Sequence, residues 1–320
     1  MKEPYSIIFF GSPEFAIPSL EAITRLEDCK ILAVVTETDK PAGRGHKLKS
    51  PPIKSWADAH NLPVLQPNSL KGTPPKSKNS PADTLPDIGI TVAYGKILST
   101  LFIETPRLGI INVHASLLPR WRGAAPLQRA ILAGDAETGV CLMQTERELD
   151  TGAVFHRKNC TIDTHETLGS LHDKLAVLGA EALNSALPDI LAGKCKASAQ
   201  LEDGVSYADK WTTEDSQLRW ADSYAEIERR VRACSPTPGT RTNHQESGLV
   251  KIYAVEQAPN YSYPAKPPGT IVDVQRKKII ISCGNNEFLV PTEIQLAGRK
   301  RMPIASAMQG FKFEIGESFQ

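Results

Sequence analysis

DIGITVAYG, Asp87 to Gly95, and GIINVHA, Gly109 to Ala115, are short runs that are nearly all apolar. A strand that is apolar on both faces is covered on both faces, the habit of a parallel sheet packed between helices. Reading outward, YSIIFF (Tyr5–Phe10) and KILAVVTE (Lys30–Glu37) repeat the pattern, and GVCLMQTE (139–146) and AVFHRKNCTI (153–162) read as two more strands. Helical spacing appears between them in EFAIPSLEAITRLE (14–27), PPIKSWADAHN (51–61) and APLQRAILAG (125–134). The long amphipathic run from Glu166 to Leu191 closes this half. The expectation is an α/β fold, a Rossmann-like and mostly parallel sheet with helices on both faces, over residues 1–193.

Beyond that point the pattern changes. Residues 194–211 lack periodicity and read as a linker. SYAEIERRVRAC (223–234) is a short basic helix. GLVKIYAVEQ, GTIVDV, KKIIISC and EFLVPTEIQL are four strand-like runs with Gly or Pro between them, which predicts a small antiparallel sheet or barrel within 212–320. The chain carries a net charge of +1, but Arg229–Gln320 holds 13 Lys/Arg against 7 Asp/Glu, an excess of +6. That asymmetry suits contact with a polyanion. No apolar run approaches the roughly 20 residues that span a bilayer, and the N-terminal apolar run is too short for a signal peptide. A soluble cytoplasmic protein, monomeric and without a membrane partner, is the expectation. Six scattered cysteines offer no CxxC pair, so neither a zinc site nor a disulfide framework is expected. The first strand ends in FFGSPEFA, with one glycine where a dinucleotide fingerprint needs three.

Within GIINVHASLLPRWRG the period of two puts Asn112 and His114 on one face. They sit at the carboxyl end of a strand, where open α/β sheets bind ligands. An amide donor beside an imidazole suits a carbonyl whose oxygen gains charge during attack. Pro119 forces the chain out of the strand, and Arg120 and Arg122 flank Trp121. In ELDTGAVF, Asp150 precedes a Thr-Gly turn, a place from which a carboxylate can orient an imidazole or relay a proton. Spacing alone does not bring Asp150 to His114.

INVHASLLPRWRGAAPLQRAILAGDAETGV together with ELDTG resembles the formyltransferases that use 10-formyltetrahydrofolate, a family marked by N-x-H, S-L-L-P and L-D-T-G. The resemblance extends through TDKPAGRGHKLKSPPIK and YADKWTTEDSQLRW and thins beyond about Arg232. It implies formyl transfer from 10-formyltetrahydrofolate, without a metal, with Asn112, His114 and Asp150 as the catalytic trio. Ser116, Leu117, Leu118 and Pro119 match the family's folate-binding turn, and Val92, Ala93, Tyr94 and Gly95 fall where the pterin pocket is expected. The P-A-G-R-G loop points to an RNA acceptor, the α-amino group of methionyl initiator tRNA, for translation initiation. Arg44 matches an arginine that enters the acceptor end, with Lys40, Lys47 and Lys49 beside it. The C-terminal domain is then an OB-like β-barrel that binds tRNA. An amino-sugar nucleotide acceptor and a non-catalytic RNA-binding relative are the rival readings. Three departures stand out: no amphipathic helix in Lys71–Asp83, no tryptophans around the prolines of CSPTPGTRTNHQ, and an unusual ending in GFKFEIGESFQ.

Overall fold

The computed structural model describes residues 3–42, 47–68, 85–259 and 263–320. The chain divides into two units: Met1–Pro126 with Glu137–Thr161 and His172–Ala208, and Leu127–Ala136 with Ile162–Leu171 and Asp209–Gln320.

Seven strands build the sheet of the first unit: β1 (Tyr5–Gly11), β2 (Cys29–Val35), β3 (Val64–Leu65), β4 (Ile88–Val92), β5 (Ile110–His114), β6 (Glu137–Gln144) and β7 (Val154–Thr161). Their order is β7-β6-β5-β4-β1-β2-β3. Pairing is parallel from β5 across to β3, and β6 runs antiparallel to both β5 and β7. Both faces are covered, as the apolar runs require. On one, Gly179 of the long helix Leu168–Leu191 approaches Val113 of β5 and Val140 of β6 so closely that a β-carbon would sit 3.0 Å from Val113. On the other, Phe10, Val35, Tyr94 and Ile110 pack with Phe102 in one buried cluster. The chain runs from β1 to β2 and β3 on one side, then returns to place β4 on the other. This reversal is the topological switch point where doubly wound sheets hold ligands. A cavity of about 360 Å³ opens there, lined among others by Ser12 after β1, Glu37 and Lys40 after β2, and Ala93 and Gly95 after β4.

Residues 194–208, which lack periodicity in sequence, pack onto this unit. Ser198 bridges Val154 in antiparallel sense, and Tyr207–Ala208 pairs in parallel with Arg122–Gly123. Their order comes from backbone pairing rather than from an apolar stripe, so no pattern announces it.

The second unit contains six strands: β8 (Thr240–His244), β9 (Gly248–Gln257), β10 (Ile271–Gln275), β11 (Lys278–Ser282), β12 (Phe288–Leu296) and β13 (Met302–Pro303). They pair antiparallel in the order β8-β9-β12-β11-β10, with β13 beside β12. This is the small antiparallel sheet the strand spacing predicts, consistent with the OB-like domain the resemblance implies. Its basic helix, Tyr224–Cys234, starts at a capping box in which Ser223 and Glu226 each satisfy the other's backbone N–H. The unusual ending is part of the core: Phe313 and Phe319 are buried with Trp220, Ile252 and Ile281. Asn243 and Gln320 exchange backbone bonds at 2.8 and 2.7 Å. Among the described residues no helix is long and apolar enough to cross a membrane.

Candidate active site

β5 is buried along its length, with Asn112 the one residue that stays partly open. Asn112 pairs with Thr91 on β4 and Met143 on β6, and His114 pairs with Cys141 on β6. Both side chains meet Asp150, which lies in the turn between β6 and β7. Asn112 Nδ2 donates to Asp150 Oδ1 at 3.4 Å, and His114 Nδ1 stands 3.6 Å from Asp150 Oδ2. The imidazole and carboxylate side chains are only 6% and 11% exposed. The three residues that the N-x-H and L-D-T-G motifs single out therefore converge.

The turn after β5 fixes the imidazole. Ser116 donates its hydroxyl to the Arg120 carbonyl at 2.6 Å and closes the SLLPR turn. Trp121 then adopts φ 63°, and its carbonyl lies 3.0 Å from His114 Nε2. A carbonyl only accepts, so this partner assigns a proton to Nε2. In the neutral ring Nδ1 is then bare and faces the Asp150 carboxylate. The imidazole and carboxylate thus have room for one shared proton between them. Asn112 spends one N–H on Asp150 and keeps a second.

Asp150 is itself in the left-handed region, φ 53°, a conformation that costs an L-residue about 1–3 kcal/mol. Its surroundings hold it there. The backbone N–H of Gly123 donates to Asp150 Oδ2 at 2.8 Å. Gln200 donates its amide to the carbonyls of Asp150 and Gly152 at 2.8 and 2.9 Å. Arg122 donates Nε and Nη2 to Gln200 Oε1 at 3.0 and 2.8 Å. Arg122 is therefore engaged inside the turn, whereas Arg120 is exposed and stacks over the Trp121 ring at 4.2 Å. Gln200 and Gly123 carry no signal in the sequence. Gln200 sits in an aperiodic stretch, and Gly123 acts through its backbone.

The other sequence-predicted residues are placed as follows. Ser116 and Leu118 are buried, and Leu118 packs with Cys141, Met143 and Val154. Val92 and Tyr94 are buried while Ala93 and Gly95 are exposed, and residues 93–95 line the switch-point cavity. Neither Asn112, His114 nor Asp150 lines that cavity. Burial and the nearby Glu37 carboxylate push the Tyr94 phenol up to about 12. Lys40 and Lys49 face each other across a two-strand hairpin, and both line the cavity; Lys40 also pairs with Glu37 at 2.8 Å. Lys47 starts the returning strand. Arg44 and the Lys71–Asp83 stretch lie outside the described residues. Among the described residues no group of three or more His, Cys, Asp or Glu side chains could hold a metal ion.

Residues 6–187 match the family described as formyl transferase, and residues 210–312 match the formyl transferase C-terminal domain. The chain belongs to the formyl transferase family. Its relatives include the methionyl-tRNA formyltransferase of Halorhodospira halophila, 42% identical over 98% of this chain and 99% of that protein. The methionyl-tRNA formyltransferase of Methylococcus capsulatus is 43% identical over 92% of this chain and 94% of its own. Among solved structures, the sugar 3N-formyl transferase WlaRD, determined in the presence of dTDP and 5-N-formyl-THF, superposes with a TM-score of 0.65. It is 17% identical, covers 93% of this chain and 100% of its own, and shares the formyl transferase fold.

Proposed function

We propose that this formyl transferase moves the formyl group of 10-formyltetrahydrofolate to the α-amino group of methionyl initiator tRNA, as a cytoplasmic monomer. The observation that carries the reading is the convergence of Asn112, His114 and Asp150, in a chain 42% identical to a methionyl-tRNA formyltransferase over nearly its whole length.

The amine attacks the formyl carbon, the new C–N bond forms, and the carbonyl electron pair moves to oxygen. The second N–H of Asn112 donates to that oxyanion. The proton leaving the amine passes to the His114–Asp150 pair, whose facing Nδ1 and Oδ2 lack one between them. The same proton returns to N10 as the C–N10 bond breaks and tetrahydrofolate leaves. The pair is unchanged at the end, and no covalent enzyme intermediate forms. An α-amino group with a pKa of about 7.7–8.0 has a usable neutral fraction near pH 7.

The turn Ser116–Pro119 and residues 92–95 would carry the folate. Ser116 and Leu118 are buried, so this turn would contribute backbone groups. Arg44, Lys40, Lys47 and Lys49 would meet the tRNA, and the basic C-terminal domain would add affinity through phosphates. The test is incubation with 10-formyltetrahydrofolate and methionyl initiator tRNA, followed by detection of formyl-methionine. Elongator methionyl-tRNA and an amino-sugar nucleotide are the control acceptors. Transfer to the amino sugar and not to the tRNA would overturn the reading.

A further inference from the structure

We infer that Gln200, held by Arg122, is a positioning residue for the reaction: it fixes the Asp150 turn so that the carboxylate faces His114 and Asn112. The inference rests on the catalytic reading of Asp150 given above and adds a residue from a stretch with no sequence motif.

The Gln200 side chain spans the turn. Its one amide nitrogen donates both hydrogens, to the carbonyl of Asp150 at 2.8 Å and to that of Gly152 at 2.9 Å, so it fixes the Asp150–Thr151 and Gly152–Ala153 peptides. A flipped amide is excluded by its own oxygen, which accepts from Arg122 Nε and Nη2 at 3.0 and 2.8 Å. A guanidinium is a donor only, and the two carbonyls are acceptors only, so a single orientation satisfies all four bonds. The charge of Arg122 draws electron density from the amide oxygen and makes the N–H groups better donors.

Two further constraints act on the same turn. A β-carbon on Gly152 would fall 1.9 Å from the Gln144 carbonyl, so the turn is pressed against the end of β6. Gly123 N–H holds the Asp150 carboxylate at 2.8 Å. The dipeptide Arg122–Gly123 therefore reaches Asp150 twice, through the Gly123 backbone to the carboxylate and through Gln200 to the main chain. That dipeptide is in turn paired with Tyr207–Ala208, seven residues along from Gln200 in the same segment. Asp150 needs this support because its left-handed backbone is not the conformation an aspartate adopts by default. Releasing the two carbonyls lets the turn relax, and the 3.6 Å between His114 Nδ1 and Asp150 Oδ2 is lost first.

Gln200→Glu is the decisive variant. It keeps the volume and can still accept from Arg122, but a carboxylate cannot donate to the two carbonyls. Misplacement of a reacting group by about 1 Å costs on the order of 100-fold, so kcat should fall about 10- to 100-fold. KM for 10-formyltetrahydrofolate and for the tRNA should stay within about twofold, because uniform binding is not what the turn supplies. Gln200→Met, which removes all four bonds without adding a charge, should lose as much, and it carries the comparison if the glutamate variant does not fold. The second readout is a double-mutant cycle with Asp150→Asn. In the Asp150→Asn background the Gln200 change should cost little further, since there is no carboxylate left to position. Equal losses in both backgrounds would overturn the inference, as would wild-type kcat in Gln200→Glu. Wild-type kcat in Asp150→Asn alone would instead sink the catalytic reading of Asp150.

Discussion

Replacing Gly123 by alanine tests the support of Asp150 from its other side. Gly123 has φ 122°, a region closed to L-residues, and an added β-carbon would lie 2.6 Å from the Ala208 carbonyl oxygen. Reaching an ordinary contact of 3.4 Å requires a displacement of 0.8 Å. Neither partner can rotate away, because both are backbone and are paired to each other. If Gly123 takes up that movement, its 2.8 Å bond to Asp150 Oδ2 stretches toward 3.6 Å, beyond a hydrogen bond. Losing a bond to a charged, nearly buried carboxylate costs about 1.5–3 kcal/mol, and backbone strain adds about 1–3 kcal/mol. At roughly 2–4 °C per kcal/mol for a unit of this size, the thermal midpoint should drop by about 5–24 °C. Turnover measured below the new midpoint should fall on the order of 100-fold, because the carboxylate has lost its anchor. The assay pairs a circular dichroism melt with initial rates of formyl-methionyl-tRNA formation at 20 °C, about room temperature. An unchanged midpoint together with a wild-type rate would show that the Gly123–Ala208 approach and the Asp150 bond are both dispensable, and the reasoning would fall.

Asn112→Ala should slow transfer about 100- to 1000-fold, as the loss of an oxyanion donor does; steady-state kcat at saturating substrates checks this. The KM for tRNA should rise steeply between about 50 and 200 mM salt while that for the folate rises far less, measured by varying each substrate in turn. His244, buried among Phe311, Phe313 and Phe319, has its pKa lowered by that burial in spite of Glu317, 3.2 Å away, and Glu246. The unfolded chain therefore protonates first as pH falls below about 6.5. Stability should decline from there until the folded ring itself titrates. Melts from pH 8 to 5 should show a smaller slope in His244→Phe, whatever its absolute midpoint.

The parallel sheet was legible because β1, β2, β4 and β5 are apolar on both faces, and only a covered sheet buries such strands. The trio was legible in parts. The alternation of β5 put Asn112 and His114 together, but the meeting with Asp150 depends on the β6–β7 turn folding back over the carboxyl end of β5. The resemblance supplied that contact, and spacing could not. Gln200 was hidden for another reason. Residues 194–208 are held by backbone pairing to Val154 and to Arg122–Gly123, and such pairing leaves no hydrophobic period. The same holds for β8, Thr240–His244, where Thr, Arg and Asn obscure a strand whose alternate residues are buried. The tail from Phe311 reads as an odd ending, yet it carries two core phenylalanines. The sequence places Arg122 only as one of two charges flanking Trp121, because it shows a residue's charge and not the amide it will meet.

The two rims of the large sheet bear on how safely this chain can be made. One rim is β3, two residues long. The other is β7, bridged at Val154 by Ser198, and its middle, HRKN from His156 to Asn159, carries Arg157 and Lys158. A short rim and a cationic rim both resist the addition of a foreign strand. The interior strands between them, IIFF and ILAVV among them, are of the kind that assembles into fibrils when left uncovered. Removing Arg157 and Lys158 together should therefore spare the folded enzyme and reduce the yield of soluble chain during refolding at high concentration.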